Sequence, residues 1–189
     1  VAAIFIRTHL TPNMLTLIGF GIAIIGAYLA AIQAWIPAGL VVGFGAAFDL
    51  FDGALARATG KSSKFGAFMD STFDRAGEAV VYVGLVVGLL RLGDPNGAAL
   101  AAAAMAAAFM VSYSRAKSES LGFGSGKGIA NVGFAPREVR SVILVIGLIG
   151  AAFDSRVLIG ALALIAVLAT VTTIQRILFV YQQSKQSPN

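Results

Sequence analysis

Long apolar stretches broken by short polar segments run through almost the whole chain. Each approaches the ~20 residues that an α-helix needs to cross the hydrocarbon core of a bilayer. Six such spans are predicted, at about 14–32, 37–55, 65–90, 98–114, 137–153 and 157–181. Local punctuation supports these limits. Thr11-Pro12 is a helix start, with threonine as cap and proline at the first helical position, where its missing N–H is not needed. Asp94-Pro95-Asn96-Gly97 is a strong turn signal, and Lys117 to Pro136, with five glycines, reads as a flexible polar loop. Ile4 to Leu10, carrying Arg7 and His9, lacks the build of a signal peptide and reads as the end of an interfacial helix. The expected fold is an all-α integral membrane protein, six transmembrane helices after a short N-terminal interfacial helix, in a single membrane domain over 1–189.

Composition agrees. Only 12% of the 189 residues are charged, against about 25% in a soluble domain. Cysteine is absent, which excludes disulfides, thiolate metal sites and cysteine nucleophiles. Of the 14 cationic residues, all but Arg91 and Arg156 fall in one set of connections and termini. By the positive-inside rule, that side, with both termini and the functional residues near it, is expected to be cytoplasmic, in a plasma-membrane protein. The net charge of +5 then belongs to a surface facing anionic headgroups or an anionic substrate, and a nucleic-acid partner is not expected. The alanine-rich fourth span reads as a scaffold helix, because small residues let membrane helices pack closely.

Four of the nine acidic residues, Asp49, Asp52, Asp70 and Asp74, sit inside or beside apolar spans. Placing an ionised group there costs about 2.5–3.5 kcal/mol even on lenient insertion scales, so each demands a reason. Asp49 and Asp52 are three apart and Asp70 and Asp74 four apart, which puts each pair on one helix face. The two helices are joined by a short loop, so their acidic ends can meet. Converging carboxylates repel unless cations lie between them. All-oxygen ligation favours Mg²⁺ or Mn²⁺, and two such ions suit displacement at phosphorus. A purely structural reading is an ion-pair network in which Arg57 and Arg75 neutralise the aspartates, and a carboxylate-relay transporter is the functional rival.

The pattern Asp49-x2-Asp52-Gly53-x2-Ala56-Arg57-x8-Gly66-x3-Asp70-x3-Asp74 resembles, at every specified position, the signature of the CDP-alcohol phosphotransferase family. The resemblance extends to the six-span layout. It implies a metal-dependent enzyme that transfers the lipid-phosphate group from a CDP-lipid, such as CDP-diacylglycerol, to an alcohol and releases CMP. It further implies metal ligation by Asp49, Asp52, Asp70 and Asp74, two ions per site, with Asp74 also the general base. CDP-lipid contacts are implied for Asn13, Met14, Leu15, Thr16, Gly53, Arg57 and Ser63, and a homodimer in the membrane is expected.

Acceptor identity must come from other residues. Arg115 ends the fourth span, Arg137 and Arg140 open the fifth three residues apart, and Arg176 follows Gln175 in the sixth. Arginines on the side of the aspartates suit a bidentate grip on phosphate. With Ser112-Tyr113-Ser114-Arg115-Ala116-Lys117-Ser118-Glu119, they resemble the phosphatidylinositol-phosphate synthase branch, including its archaeal-type dialkyl relatives. The expected acceptor is therefore a small phosphorylated polyol, inositol phosphate, with glycerol-3-phosphate as the alternative. Glu78, one turn past Asp74 on the same face, is given no assigned role.

Overall fold

The structure, a computed structural model, describes residues 11–59, 63–123, 128–129 and 132–186, apart from the side chains of Pro12, 50–59 and Gln186. The interfacial helix expected over Ile4 to Leu10 lies outside these residues. Among the described residues, six long helices make up the fold: α1 (Pro12–Ala31), α2 (Trp35–Thr59), α3 (Lys64–Arg91), α4 (Pro95–Ser120), α5 (Arg137–Ala151) and α6 (Ser155–Gln186). It is the all-α, six-transmembrane-helix architecture that the sequence predicts.

Helix starts follow their caps. Thr11 accepts from the Met14 N–H at 3.3 Å, Ser63 from Gly66 at 2.9 Å and Asp94 from Gly97 at 2.8 Å. Each hydroxyl or carboxylate satisfies an N–H that has no partner within the helix. The expected polar loop after the fourth span begins later than Lys117. Helix α4 continues through Ser120 and ends where Gly122 takes φ +80°, a left-handed conformation that closes a helix C-terminus at little cost to glycine. Arg115 and Lys117 therefore stand on a helix.

Each helix packs chiefly on two others, in the cyclic order α1, α3, α4, α6, α5, α2. The ring encloses a core of Val81, Tyr82, Leu85, Leu89, Leu148 and Leu162 among others. Ala101, Ala104 and Ala108 turn the buried face of α4 inward. Large apolar side chains such as Ile25, Leu40, Phe44, Val142 and Ile177 are exposed on the outside, as a lipid-facing surface requires. The closest approach is between α1 and α3. A Cβ on Gly84 would overlap the Ala27 carbonyl, and one on Gly88 would overlap that of Ala30. Backbone-to-backbone packing of this kind replaces the hydrophobic drive that helices lack in lipid.

Among the described residues, α1, α4 and α6 are long and apolar enough by themselves to cross a membrane. The other three carry the site. Helices α2 and α3 are interrupted by acidic residues, and α5 has only 15 residues, about 22 Å at 1.5 Å per residue against a core of about 30 Å. Counting back from the opposite ends (Trp35, Arg91 and Ala151) places Asp49, Asp74 and Arg137 roughly 21–25 Å along their helices. Three separate chain segments thus deliver charged groups to one depth.

The α1–α3 contact supplies a stability test. Gly84→Val is expected to lower the thermal unfolding midpoint in detergent, by the ~1–3 kcal/mol typical of overpacking. Gly160→Ala, where an added Cβ meets nothing within 4 Å, should leave the midpoint unchanged or raise it.

Candidate active site

Charged residues on α2, α3 and α5 meet at that common depth. The Arg137 guanidinium lies across two aspartates from different helices, with Nη2 2.7 Å from Asp49 Oδ2 and Nη1 2.8 Å from Asp74 Oδ2. All three side chains are about a quarter exposed, so the bonds are charge-assisted and partly shielded from water. Asp70, one turn before Asp74, is close enough for its charge to act on Asp74, as is that of Asp49. Arg137 thus neutralises Asp49 and Asp74 from α5, and Arg75 pairs with Glu78, Nη1 to Oε2 at 3.5 Å. The side chains of Asp52, Gly53 and Arg57 lie outside the described residues.

Glu78 is the residue that sequence reasoning passed over. Arg140, 2% exposed, donates to it from Nε at 3.0 Å and from Nη2 at 2.8 and 3.0 Å, and from Nη1 to the Ala135 carbonyl at 2.8 Å. This fork-to-fork pair lies one turn deeper than Asp74 and ties α3 to α5. The signal was present: Asp70, Asp74 and Glu78 form one i, i+4, i+8 stripe, and an acid that far into an apolar span needs a partner.

Among the described residues, two openings reach the aspartates, besides an inner cavity beside α1. A polar cavity of about 670 Å³ between α3, α4, α5 and α6 is bounded by Asp70, Asp74, Arg75, Arg115, Arg137 and Arg176. That volume is ample for a small polar molecule. Arg140 also touches it, so all four arginines singled out in the sequence border one space. Their donors are not equally available. Arg115 is exposed and bonds only Glu119, at 2.9 Å, among the described contacts. Arg176 is 4% exposed, giving Nε to the Val132 carbonyl at 3.0 Å and Nη1 to that of Val111. The second opening is a largely apolar groove of about 450 Å³ between α2 and α5, from Asp49 and Arg137 past Gly43, Ala46 and Val142 to Ile146.

On the α1 side, an added Cβ on Gly66 would lie 3.3 Å from Asn13 Oδ1 and 3.1 Å from Ser63 Oγ, so the starts of α1 and α3 adjoin. Thr16 borders an inner cavity that also touches Asp49 and Asp74. Met14 is exposed, whereas Leu15 is buried and packs into the bundle.

The donor chemistry fits a hard divalent cation. The acids are all carboxylates, and Arg137 places positive charge between Asp49 and Asp74, where a cation would serve the same electrostatic need. Among the described residues no three acids close into a ready coordination shell.

The buried pair is testable by itself. Glu78→Leu strands the Arg140 charge and is expected to destabilise the protein by about 3–5 kcal/mol in thermal unfolding, whereas Glu78→Leu with Arg140→Met should recover most of the loss.

The chain is similar to known proteins in both sequence and fold. The chain is 41% identical over 177 residues to the archaetidylinositol phosphate synthase of Pyrococcus horikoshii, covering 94% of this chain and 85% of that protein. The structure of the phosphatidylinositol phosphate synthase of Mycobacterium tuberculosis with CDP-DAG bound matches with a TM-score of 0.84 and 29% identity, over 95% of this chain and 91% of that one. The same enzyme in complex with manganese and citrate also gives 0.84 at 29% identity, over 95% and 87% of the two chains. Residues 9–183 match the CDP-alcohol phosphatidyltransferase family, and the chain belongs to it.

Proposed function

We propose that this membrane enzyme transfers the lipid-phosphate group of a CDP-lipid to a hydroxyl of inositol phosphate, giving a phosphatidylinositol-type phosphate and CMP. The observation that carries the acceptor assignment is the arginine-lined cavity opening directly onto Asp70 and Asp74. A phosphorylated polyol needs cationic donors for its phosphate and a carboxylate for its reacting hydroxyl, and this space offers both. Arg115 and Arg137 are the main phosphate ligands, with the remaining N–H groups of Arg140 and Arg176 behind them. Relatives named for inositol phosphate products support the same choice.

The donor enters from the other side. The apolar groove between α2 and α5 suits a lipid chain that arrives within the bilayer. Asn13, Met14, Thr16, Gly53, Arg57 and Ser63 hold the CDP-lipid head, while buried Leu15 seats α1 beneath it. Ser63 Oγ already accepts the Gly66 N–H, which leaves its O–H free to donate to an anionic ligand. Asp74 accepts the acceptor hydroxyl's proton as that oxygen attacks the lipid-bearing phosphorus. The new P–O bond forms, the bond to CMP breaks, and the electron pair leaves with CMP. Arg137 orients Asp49 and Asp74 and offsets their repulsion. Asp49, Asp52, Asp70 and Asp74 would hold Mg²⁺ or Mn²⁺, two ions per site, whose charge stabilises the pyrophosphate and the departing CMP. The manganese complex of the mycobacterial enzyme supports this choice of metal.

The basic bias of the polar end supports a cytoplasmic site with both termini on that side of the plasma membrane, and the family resemblance supports a homodimer.

Release of CMP from CDP-diacylglycerol by the purified protein is expected with inositol phosphate and not with glycerol-3-phosphate, serine or inositol. Turnover with glycerol-3-phosphate alone would move the acceptor assignment and leave the reaction class intact. Chelation should abolish activity, and Mg²⁺ or Mn²⁺ should restore it. Asp74→Asn should lower kcat by at least about 100-fold, the lower end of what a general base contributes; unchanged turnover would remove Asp74 from the mechanism.

A further inference from the structure

Helix α5 carries Arg137 at its first position. Its cap is Pro136, which makes no side-chain cap hydrogen bond. The preceding segment, 132–135, is instead fastened by side chains from elsewhere. Thr172, fully buried on α6, accepts with Oγ1 from the Phe134 N–H at 3.1 Å and from the Ala135 N–H at 3.0 Å. Both lone pairs of one hydroxyl are thereby used on consecutive backbone donors. One turn further, Arg176 donates Nε to the Val132 carbonyl and Nη1 to the Val111 carbonyl, which ties in α4 as well. Arg140 closes the strap by donating to the Ala135 carbonyl.

Gly133 shows how tight the seat is. Its φ is +113°, a conformation strained for any residue with a side chain, and a Cβ there would overlap the side chain of Thr172. The segment can press onto α6 only because this residue is glycine. Only one residue, Pro136 with its fixed φ, separates Ala135 from Arg137. The hydroxyl of Thr172 therefore sets where α5 begins, and with it where the Arg137 guanidinium lies between Asp49 and Asp74.

We propose that Thr172, acting with Arg176 through the 132–135 segment, is a positioning residue for Arg137 and hence for the acceptor side of the site. The proposal rests on the reading of the polar cavity as the acceptor site. Threonine to valine is nearly isosteric, so Thr172→Val removes the acceptor oxygen and takes that partner from the buried Ala135 N–H and the part-buried Phe134 N–H. Thr172→Ser keeps that oxygen.

The test joins steady-state kinetics to hydrogen exchange on the full-length protein in detergent or nanodiscs. For Thr172→Val, the KM for the acceptor should rise about tenfold, the scale of an unpaired buried donor. The KM for the CDP-lipid should stay within about twofold, the split expected when only one substrate's contacts are disturbed. Amides of 132–140 should exchange faster, while those at the α1–α3 contact keep their protection. Thr172→Ser should restore wild-type values, and Gly133→Ala, which disturbs the same contact from the loop side, should reproduce the valine pattern. If Thr172→Val does not fold, Gly133→Ala carries the comparison. Unchanged exchange over 132–140, or faster exchange with kinetics unaltered or with both KM values raised alike, would overturn the proposal. The exchange result does not depend on which acceptor is used, so a failed acceptor assignment would show in the wild-type substrate panel and nowhere else.

Discussion

A guanidinium laid across two carboxylates, near the polar edge of an apolar bundle, is the contact on which the rest of this molecule depends. Asp49 arrives on α2, Asp74 on α3 and Arg137 on α5. None could be placed at that depth alone without a heavy penalty, since an isolated charge in lipid has neither water nor partner. Together they form a charge-assisted lattice in which repulsion between the aspartates is offset and their spacing is held. The buried Glu78–Arg140 pair, one turn deeper, repeats the arrangement with little exposure and ties the same two helices, α3 and α5, together. The upper contact borders both openings, while the lower one is more deeply buried and reaches the polar cavity through Arg140.

The ring of helices explains how such a lattice can be held with so little polar material. Glycine and alanine bring α1 and α3 into backbone contact at Gly84 and Gly88, well away from the aspartates. Packing there is dense and apolar, so cohesion does not rest on the polar end alone. Helix α5 is short for a membrane span, and its shortness is useful. It starts at the level of the aspartates, which lets its first residue, Arg137, face them from the side.

Much of this was legible in the sequence, for identifiable reasons. Lipid exposure forces long apolar runs, and Thr11 marks a helix start by the chemistry of unpaired N–H groups. The aspartates announced themselves because acids at i, i+3 and i, i+4 spacing inside such runs need a common purpose. The limits were equally physical. The end of α4 was placed too early because polarity was weighed above the stop that Gly122 supplies. The pairing of Glu78 with Arg140 spans 62 positions and depends on the ring order of the helices, which periodicity does not encode. Nor does a sequence distinguish an arginine whose N–H groups are bound to carbonyls, as in Arg176, from one that presents them to a cavity, as in Arg115.

The two openings onto the aspartates have a consequence for traffic. One lies between α2 and α5 and is walled by apolar side chains; the other is polar and bounded by α3 through α6. Near the far face the first is shut, since a Cβ on Gly39 would meet Ile149 and Leu148, and it slackens toward Gly43. A wedge of this shape admits a ligand sideways, from a two-dimensional reservoir, while the polar mouth samples a three-dimensional one. Substrates from different phases then need not queue at one entrance, and a lipid product can depart along the plane of the membrane without first clearing the aqueous side.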